Sequence, residues 1–372
     1  MSPFDRRLFT HFNWTLLGLA LLLFALGVMN LYSASSLRVE TGVTTISFYK
    51  KQLLWGIIGL VGLIFAVSFD YRHLKSVAWP FYFLTCLSLI WVLFFGVTIS
   101  GAQRWIDLGL INFQPSEFAK LSLLLITALL LASMLEKLGW KELGKIILLT
   151  LVPTALVIVQ PDLGSGLNIL MIVGGMILFK GLKKPVLLTL AFAVPVLAPF
   201  GWYMLEDYQK SRILTFINPD RDPLGSGYNI IQSEIAIGSG QFWGKGFLEG
   251  TQSQLRFLPE KHTDFVFAVF GEEWGFAGCF LLLALFCLLL HQILLVIRDS
   301  KDNFGSMLAV GVFFYFFWQI FINMSMVLGL MPVVGIPLPF LSYGGTSTVI
   351  NFCLIGLVLN VSMRRYVFKH DG

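Results

Sequence analysis

The sequence predicts an all-α polytopic membrane protein of about ten transmembrane helices. Both termini are expected to be cytoplasmic, with one long extracytoplasmic loop at 206–264 and a re-entrant loop rich in proline and glycine near the C-terminus. Three observations predict this class. Hydrophobic residues make up 56% of the 372 positions and charged residues only 13%, where a soluble domain is roughly 25% charged. With a mean hydropathy of +0.79, a soluble fold could not hide this much apolar surface, so the chain reads as a single transmembrane domain over 1–372. Apolar runs of about 20 residues, enough to cross the hydrocarbon core, recur along it, and the basic residues concentrate on alternate loops.

The spans read, in order, as 13–33, 51–69, 77–98, 117–135, 145–160, 163–180, 185–205, 275–297, 307–329 and 345–363. The first follows Arg6 and Arg7 and ends near Ser33-Ala34-Ser35. It is longer than the apolar region of a cleaved signal peptide, roughly 7–15 residues, so it reads as retained. Asp70-Tyr71-Arg72-His73 separates the second span from the third, and Gln114-Pro115-Ser116 leads into the fourth, where Ser116 is a candidate helix cap. The stretch 146–179 is apolar except at Gln160-Pro161-Asp162. As one helix it would overshoot the hydrocarbon by roughly 20 Å, and a Pro-Asp pair marks a turn. It therefore reads as two short helices with Asp162 at the junction. Lys180-Gly181-Leu182-Lys183-Lys184 separates the sixth span from the seventh, and the long segment precedes the eighth. Between the ninth and tenth, three prolines and four glycines between Gly329 and Gly345 forbid regular helix. Irregular backbone at membrane depth must be buried in protein or line a cavity.

With an even number of spans, one side carries 15 basic residues in short loops and tails; the other carries 11, of which six lie in 206–264. Long segments cross largely regardless of charge, so the first side is cytoplasmic. Trp14, Trp79 and Trp105 fall near span ends, as interfacial anchors do. The cytoplasmic loops are short and plain. The far-side loops are rich in Gly, Pro, Gln, Asp and Trp, and function is expected there. Cys86, Cys279, Cys287 and Cys353 lie in apolar runs without a CxxC pair, and no two histidines stand at i, i+4. The sequence offers no disulfide framework and no His/Cys cluster that points to a metal site.

Three constellations carry candidate chemistry. In Gly101–Lys120, Arg104 sits in an amphipathic lead-in, and Glu117 and Lys120 share a helical face at the mouth of the fourth span, either as a surface ion pair or as site residues. Asp162, between two short apolar helices, is either a cap for the sixth span or a carboxylate facing a site. The long loop ends in Glu260-Lys261-His262-Thr263-Asp264 and runs directly into apolar Phe265–Phe270. Asp264 thus stands at the membrane interface, where partial burial would raise its pKa and make it a general-base candidate. Glu272 and Glu273 are expected to line the same cavity. The glycine-rich run Gly238–Gly246 is neither a phosphate-binding loop, because Gly246 follows Lys245 where Ser or Thr is needed, nor a dinucleotide fingerprint; it reads as a turn-rich loop.

Taken together, these residues resemble the SEDS family (shape, elongation, division and sporulation proteins) over nearly the whole chain. The resemblance rests on Arg104-Trp105, Gln114-Pro-Ser-Glu117…Lys120, Gln160-Pro-Asp162, Leu258-Pro-Glu-Lys-His262-Thr263-Asp264 and Asn323…Pro332-Val-Val-Gly335…Ser342-Tyr-Gly344-Gly345-Thr-Ser347. The short tails and the form of the Asp264 motif look closest to the rod-shape branch. The resemblance implies a glycosyltransferase of a bacterial inner membrane that polymerises lipid II, an undecaprenyl-pyrophosphate disaccharide-pentapeptide, with its active site on the extracytoplasmic face. It implies Asp264 as catalytic base, and Arg104, Lys120, Glu117, Asp162, His262 and Thr263 as substrate- or pyrophosphate-binding residues. Pro332, Gly335, Ser342, Gly344 and Gly345 form its structural signature. A divalent cation, Mg²⁺ or Mn²⁺, suits oxygen ligands such as Asp264, Asp162 and Glu117; no nucleotide or organic cofactor is expected. The implied partner is a class B penicillin-binding protein; small-residue faces such as Gly56, Gly59 and Gly62 are one candidate seat for its single helix, and the sequence does not fix which face it uses. The rival readings are a lipid II flippase, which needs polar groups reachable from both faces, and a scaffold that recruits a transpeptidase.

Overall fold

The computed structural model describes residues 12–35, 48–99, 102–107, 109, 112–222, 225–255, 257–258 and 260–365. Among them, ten helices are long and apolar enough to cross a membrane. They are α1 (Trp14–Ser35), α2 (Phe48–Ser68), α3 (Leu74–Phe95), α4 (Pro115–Ala132), α5 (Trp140–Val159), α6 (Leu163–Lys180), α7 (Lys184–Met204), α11 (Val266–Asp299), α12 (Asn303–Val327) and α13 (Gly345–Arg364). The chain is a multi-pass membrane protein. The tails expected to be cytoplasmic, with Arg6 and Arg7, lie outside the described residues.

Parts of the molecule differ from the sequence expectation. The lead-in to α4 is a small antiparallel sheet of β1 (Val97–Ile99), β2 (Ala102–Asp107) and β3 (Asn112–Phe113). Val97 pairs with Trp105 and Ile106 with Phe113. Val97, Thr98 and Ile99 are β-branched and favour this pleat, and Gly109 at φ +85° turns the chain from β2 into β3. The described residues of segment 206–264 are largely helical rather than an open loop, with α8 (Asp207–Ile217), α9 (Ser226–Ser239) and α10 (Thr251–Gln254). α9 is seated on the end of α12, where the buried Ser233 hydroxyl donates to the Val327 carbonyl at 2.9 Å.

The eighth span begins at Val266, not at 275, and its helix is broken at Gly275 (φ +63°, ψ −164°). Such a break frees backbone groups that must find partners in an apolar setting. The glycine-rich loop supplies them. Phe276 N–H donates to Gln241 O at 2.8 Å and Ala277 N–H to Phe242 O at 3.0 Å, while Lys245 N–H and Gly246 N–H donate to Glu272 O and Glu273 O at 3.0 and 3.1 Å. Any side chain on Gly275 would meet the backbone of Gly244. The loop is turn-rich, as expected, and closes the break.

The broadest helix packing is between α2 and α13. It uses the small-residue face that was one candidate seat for a partner helix. Gly56 lies against the Phe24 ring of α1, Gly59 against Phe352 of α13, and Gly62 against the Cys353 sulfur. This face is therefore filled by the chain itself, since glycine is what lets these helices approach so closely. By contrast, α7, with Pro185, Pro195 and Pro199, buries only Val186.

Candidate functional site

Asp264 stands immediately before α11, and the backbone here is held by α12 and by the irregular segment that links α12 to α13. Asn323 of α12 donates one amide to both Asp264 O (2.9 Å) and Ile336 O (2.8 Å). The Ser342 hydroxyl donates to Thr263 O at 2.6 Å and accepts from Leu338 N–H at 2.8 Å. Tyr343 N–H donates to His262 O at 2.8 Å. Three consecutive carbonyls before the apolar helix are thus satisfied, that of Asp264 by α12 and those of Thr263 and His262 by the segment that follows it. This segment is buried at Ile336, Leu338, Phe340, Leu341 and Ser342, as irregular backbone at membrane depth must be. Gln52 of α2 secures its far end, donating to Ser342 O at 3.2 Å and accepting from Gly344 N–H at 3.4 Å. At Gly345, where α13 begins, a side chain would strike the Trp55 ring.

Gly335 and Gly164 place the carboxylates near one another. Gly335 has φ +75°, and a Cβ there would sit 3.3 Å from Asp264 Oδ2. Gly164, in the first turn of α6, packs directly on the Val334 carbonyl, where a Cβ would approach to 2.3 Å. The start of α6, and with it Asp162, is thereby drawn against the segment that abuts Asp264.

Asp162 is a helix cap that also gathers polar neighbours. It caps α6, accepting from Ser165 N–H at 3.1 Å, and it collects polar groups from the fourth-span motif. Gln114 Nε2 and the Ser116 hydroxyl each donate to Oδ2 at 3.3 Å, and Arg104 Nη1 lies 3.6 Å from Oδ1. Ser116 is therefore not the cap of α4. The cap position belongs to Gln114, with Pro115 in the first turn, where a missing N–H costs nothing.

Glu117 and Lys120 form a pair, but not at the surface. Lys120 Nζ lies 2.5 Å from Glu117 Oε1, with side-chain exposures of 1% and 5%, and 5.6 Å from the Tyr315 ring centre. Tyr315 in turn donates to Asn351 Oδ1 at 3.0 Å. The ammonium is buried in the bundle interior and paired with Glu117. His262 packs against Phe48 with the rings tilted and their centres 4.4 Å apart. Burial, then the neighbouring Lys261 charge, lowers its pKa to about 4, so it is neutral at physiological pH. The Thr263 hydroxyl turns back to Glu260 Oε2 at 3.1 Å.

Burial pushes the Asp264 carboxyl up to about 6. Glu260 and, more weakly, Asp162 add to the rise, while Arg212 and then Arg104 oppose it. A carboxylate so poised accepts a proton from a bound hydroxyl near neutral pH. The expected metal set does not assemble. Glu117 is committed to Lys120, Asp162 to Arg104, Gln114, Ser116 and Ser165, and no cluster of three metal-ligating side chains occurs among the described residues. Glu272 and Glu273 do not join Asp264 either. Glu272 accepts from Lys245 Nζ (2.7 Å) and Gln252 N–H (2.9 Å), and Glu273 accepts from the Ser33 hydroxyl.

Sequence reasoning missed Gln52 and Arg212. Gln52 was findable, as a buried polar residue within a predicted span. Arg212, on α8, donates to Val333 O at 3.1 Å; it was one of six basic residues in the segment 206–264, and nothing set it apart.

The family model for FtsW, RodA and SpoVE, described as cell cycle protein, matches residues 13–367. The chain belongs to the FtsW/RodA/SpoVE family. It is 38% identical over 358 residues to the peptidoglycan glycosyltransferase MrdB of Escherichia coli (strain K12), covering 95% of this chain and 94% of that protein. It is likewise 38% identical to a probable peptidoglycan glycosyltransferase FtsW of Geobacter sp. (strain M18), covering 95% and 97%. Among solved members, a chain of "Structural coordination of polymerization and crosslinking by a peptidoglycan synthase complex" superposes with a TM-score of 0.81 at 33% identity, covering 95% of this chain and 98% of that one. The crystal structure of the rod shape determining protein RodA of Thermus thermophilus superposes at 0.70 and 31% identity, with the same coverage. The resemblance to this family read from the motifs is thereby established.

Proposed function

We propose that this chain is a peptidoglycan glycosyltransferase that polymerises lipid II into glycan strands during cell elongation. Its site faces the extracytoplasmic side of a bacterial inner membrane, and a class B penicillin-binding protein is its partner. The observation that carries the reading is the Asp264 carboxylate, half-buried, held rigidly through its backbone and raised towards neutral pKa. The family relatives named as glycosyltransferases, and the neighbour from a peptidoglycan synthase complex, support the activity and the partner.

In this mechanism a glycan 4-hydroxyl attacks the anomeric carbon of a lipid-linked sugar. The bond from that carbon to the diphosphate oxygen breaks, and the hydroxyl proton passes to Asp264. A single displacement inverts the centre, turning an α-linked donor into a β-linked chain. Arg104, held by Asp162 and 30% exposed, offers a planar fork to the leaving diphosphate. Glu117 and Lys120 act from beneath, fixing the start of α4. A Mg²⁺ or Mn²⁺ ion is proposed only as a companion of the diphosphate, whose oxygens supply what the chain does not; no step depends on it.

The test uses the purified chain with its transpeptidase partner, labelled lipid II and a gel that resolves glycan products. Wild type is expected to give a ladder, and Asp264→Asn to give none at an unchanged melting temperature. Full polymerisation by well-folded Asp264→Asn would sink the base assignment.

A further inference from the structure

Burial of Lys120 leaves the site short of positive charge, on the glycosyltransferase reading given above. A lipid diphosphate carries more than one negative charge and gains another when its bond to the sugar breaks. Arg104 already shares its charge with Asp162. A second protein cation within reach of the reacting atoms would add to the charge that Arg104 and a companion divalent ion supply.

Arg212 is such a cation. It reaches the site from α8, on an element unrelated to the β2 strand that carries Arg104. Its Nη1 is fixed by the Val333 carbonyl at 3.1 Å. Val333 leads through Val334, on which Gly164 packs, to Gly335, which abuts Asp264 Oδ2. Of the cations acting on Asp264, Arg212 acts most strongly, ahead of Arg104. It differs from Arg104 in one further respect: among the described residues it forms no ion pair with a carboxylate. The bond to Val333 uses one of five guanidinium donors and cancels none of the charge. A half-buried cation anchored by a neutral carbonyl is costly by itself. An anionic ligand removes that cost.

We propose that Arg212 is the second diphosphate-binding cation of the site, acting with Arg104 on the lipid diphosphate as it binds and as it leaves. The bond to Val333 aims the guanidinium. The alternative is that Arg212 only ties α8 to the irregular segment. Arg212→Gln separates the two, because glutamine keeps a donor for Val333 O and removes the charge.

Binding is measured first, on the full-length chain with its partner, as the rise in melting temperature on titration with undecaprenyl diphosphate. Wild type is expected to be stabilised, and Arg212→Gln to need at least tenfold more ligand for the same rise. Arg212→Lys should fall between them, since it keeps the charge without the fork. Melting temperatures without ligand show whether each variant folds. Polymerisation kinetics follow: kcat/KM for lipid II should fall about 100-fold in Arg212→Gln, in the range seen when one oxyanion donor is removed. Equal ligand stabilisation of wild type and Arg212→Gln would overturn the proposal, even if activity fell, since a structural tie would account for it. If wild type bound the diphosphate lipid but made no polymer, the glycosyltransferase reading would fail while the binding comparison still decided Arg212.

Discussion

The Asp264 carboxylate couples the whole site to pH. Its pKa is raised to about 6, so the base form is lost as pH falls through about 6. Activity is expected to drop on that acid side and to level off above pH 7. The neighbouring charges give the sign of each shift. Arg104 lowers the pKa of Asp264, so Arg104→Gln should move the acid limb upward; Glu260 raises it, so Glu260→Gln should move the limb downward. Polymerisation rates of the three proteins between pH 5 and 8 check both directions, and shifts of the same sign would remove Asp264 as the titrating group. Gly335 is the second residue on which the site depends. At φ +75°, an L-residue there costs roughly 1–2 kcal/mol, and its Cβ would press on Asp264 Oδ2 at 3.3 Å. Gly335→Ala should therefore lose at least about tenfold in rate, since small displacements of a base are costly, while melting only a few degrees lower. An unchanged rate would mean that the carboxylate does not work where it lies.

At the scale of helices, the Glu117–Lys120 pair joins α4 to the interior of the bundle, and it behaves unlike a surface pair. Removing one partner leaves a buried charge uncompensated, at a cost of about 3–5 kcal/mol. Glu117→Gln and Lys120→Met should each lower the melting temperature in detergent sharply, and the double variant should recover much of the loss. If the two single losses simply add, the pair is solvated. Which elements could be read from sequence depended on where polar residues fall. The split between α5 and α6 was legible because Pro161-Asp162 interrupts an otherwise apolar stretch too long for one span. Asp264, Asp162 and Arg104 were legible for the same reason, as charges at the edges of apolar runs. The first part of α11 was not. Glu272 and Glu273 make 266–274 look like a loop, and only the tertiary structure shows them satisfied by Lys245, Gln252 and Ser33. The depth of Lys120 and the approach of Arg212 were hidden too, because both depend on distances between helices far apart in sequence. The Gly56, Gly59 and Gly62 face was legible as a packing surface, but the α1 and α13 side chains that fill it were not.

At the scale of the molecule, the polar groups gather at one end of the bundle, and the side of the membrane on which that end lies follows from charge. The short loops at the other end, such as the one where Leu138 pairs with Leu182 and Lys180 Nζ donates to Met134 O, carry the basic excess and should be cytoplasmic. The site end then faces outward, where a polymerase would meet a lipid-linked substrate and a growing strand. Two exposed positions test this: Glu249, between α9 and α10, and Lys137, between α4 and α5. In a background with Cys86, Cys279, Cys287 and Cys353 replaced by serine or alanine, single cysteines at 249 and 137 are treated with a membrane-impermeant maleimide in intact spheroplasts, then after lysis. Position 249 should label in both conditions and position 137 only after lysis. The reverse pattern would put Asp264 in the cytoplasm and remove its access to an outer-leaflet strand. Labelling of both positions in intact cells would instead indicate polar access from both faces, which is what a flippase requires.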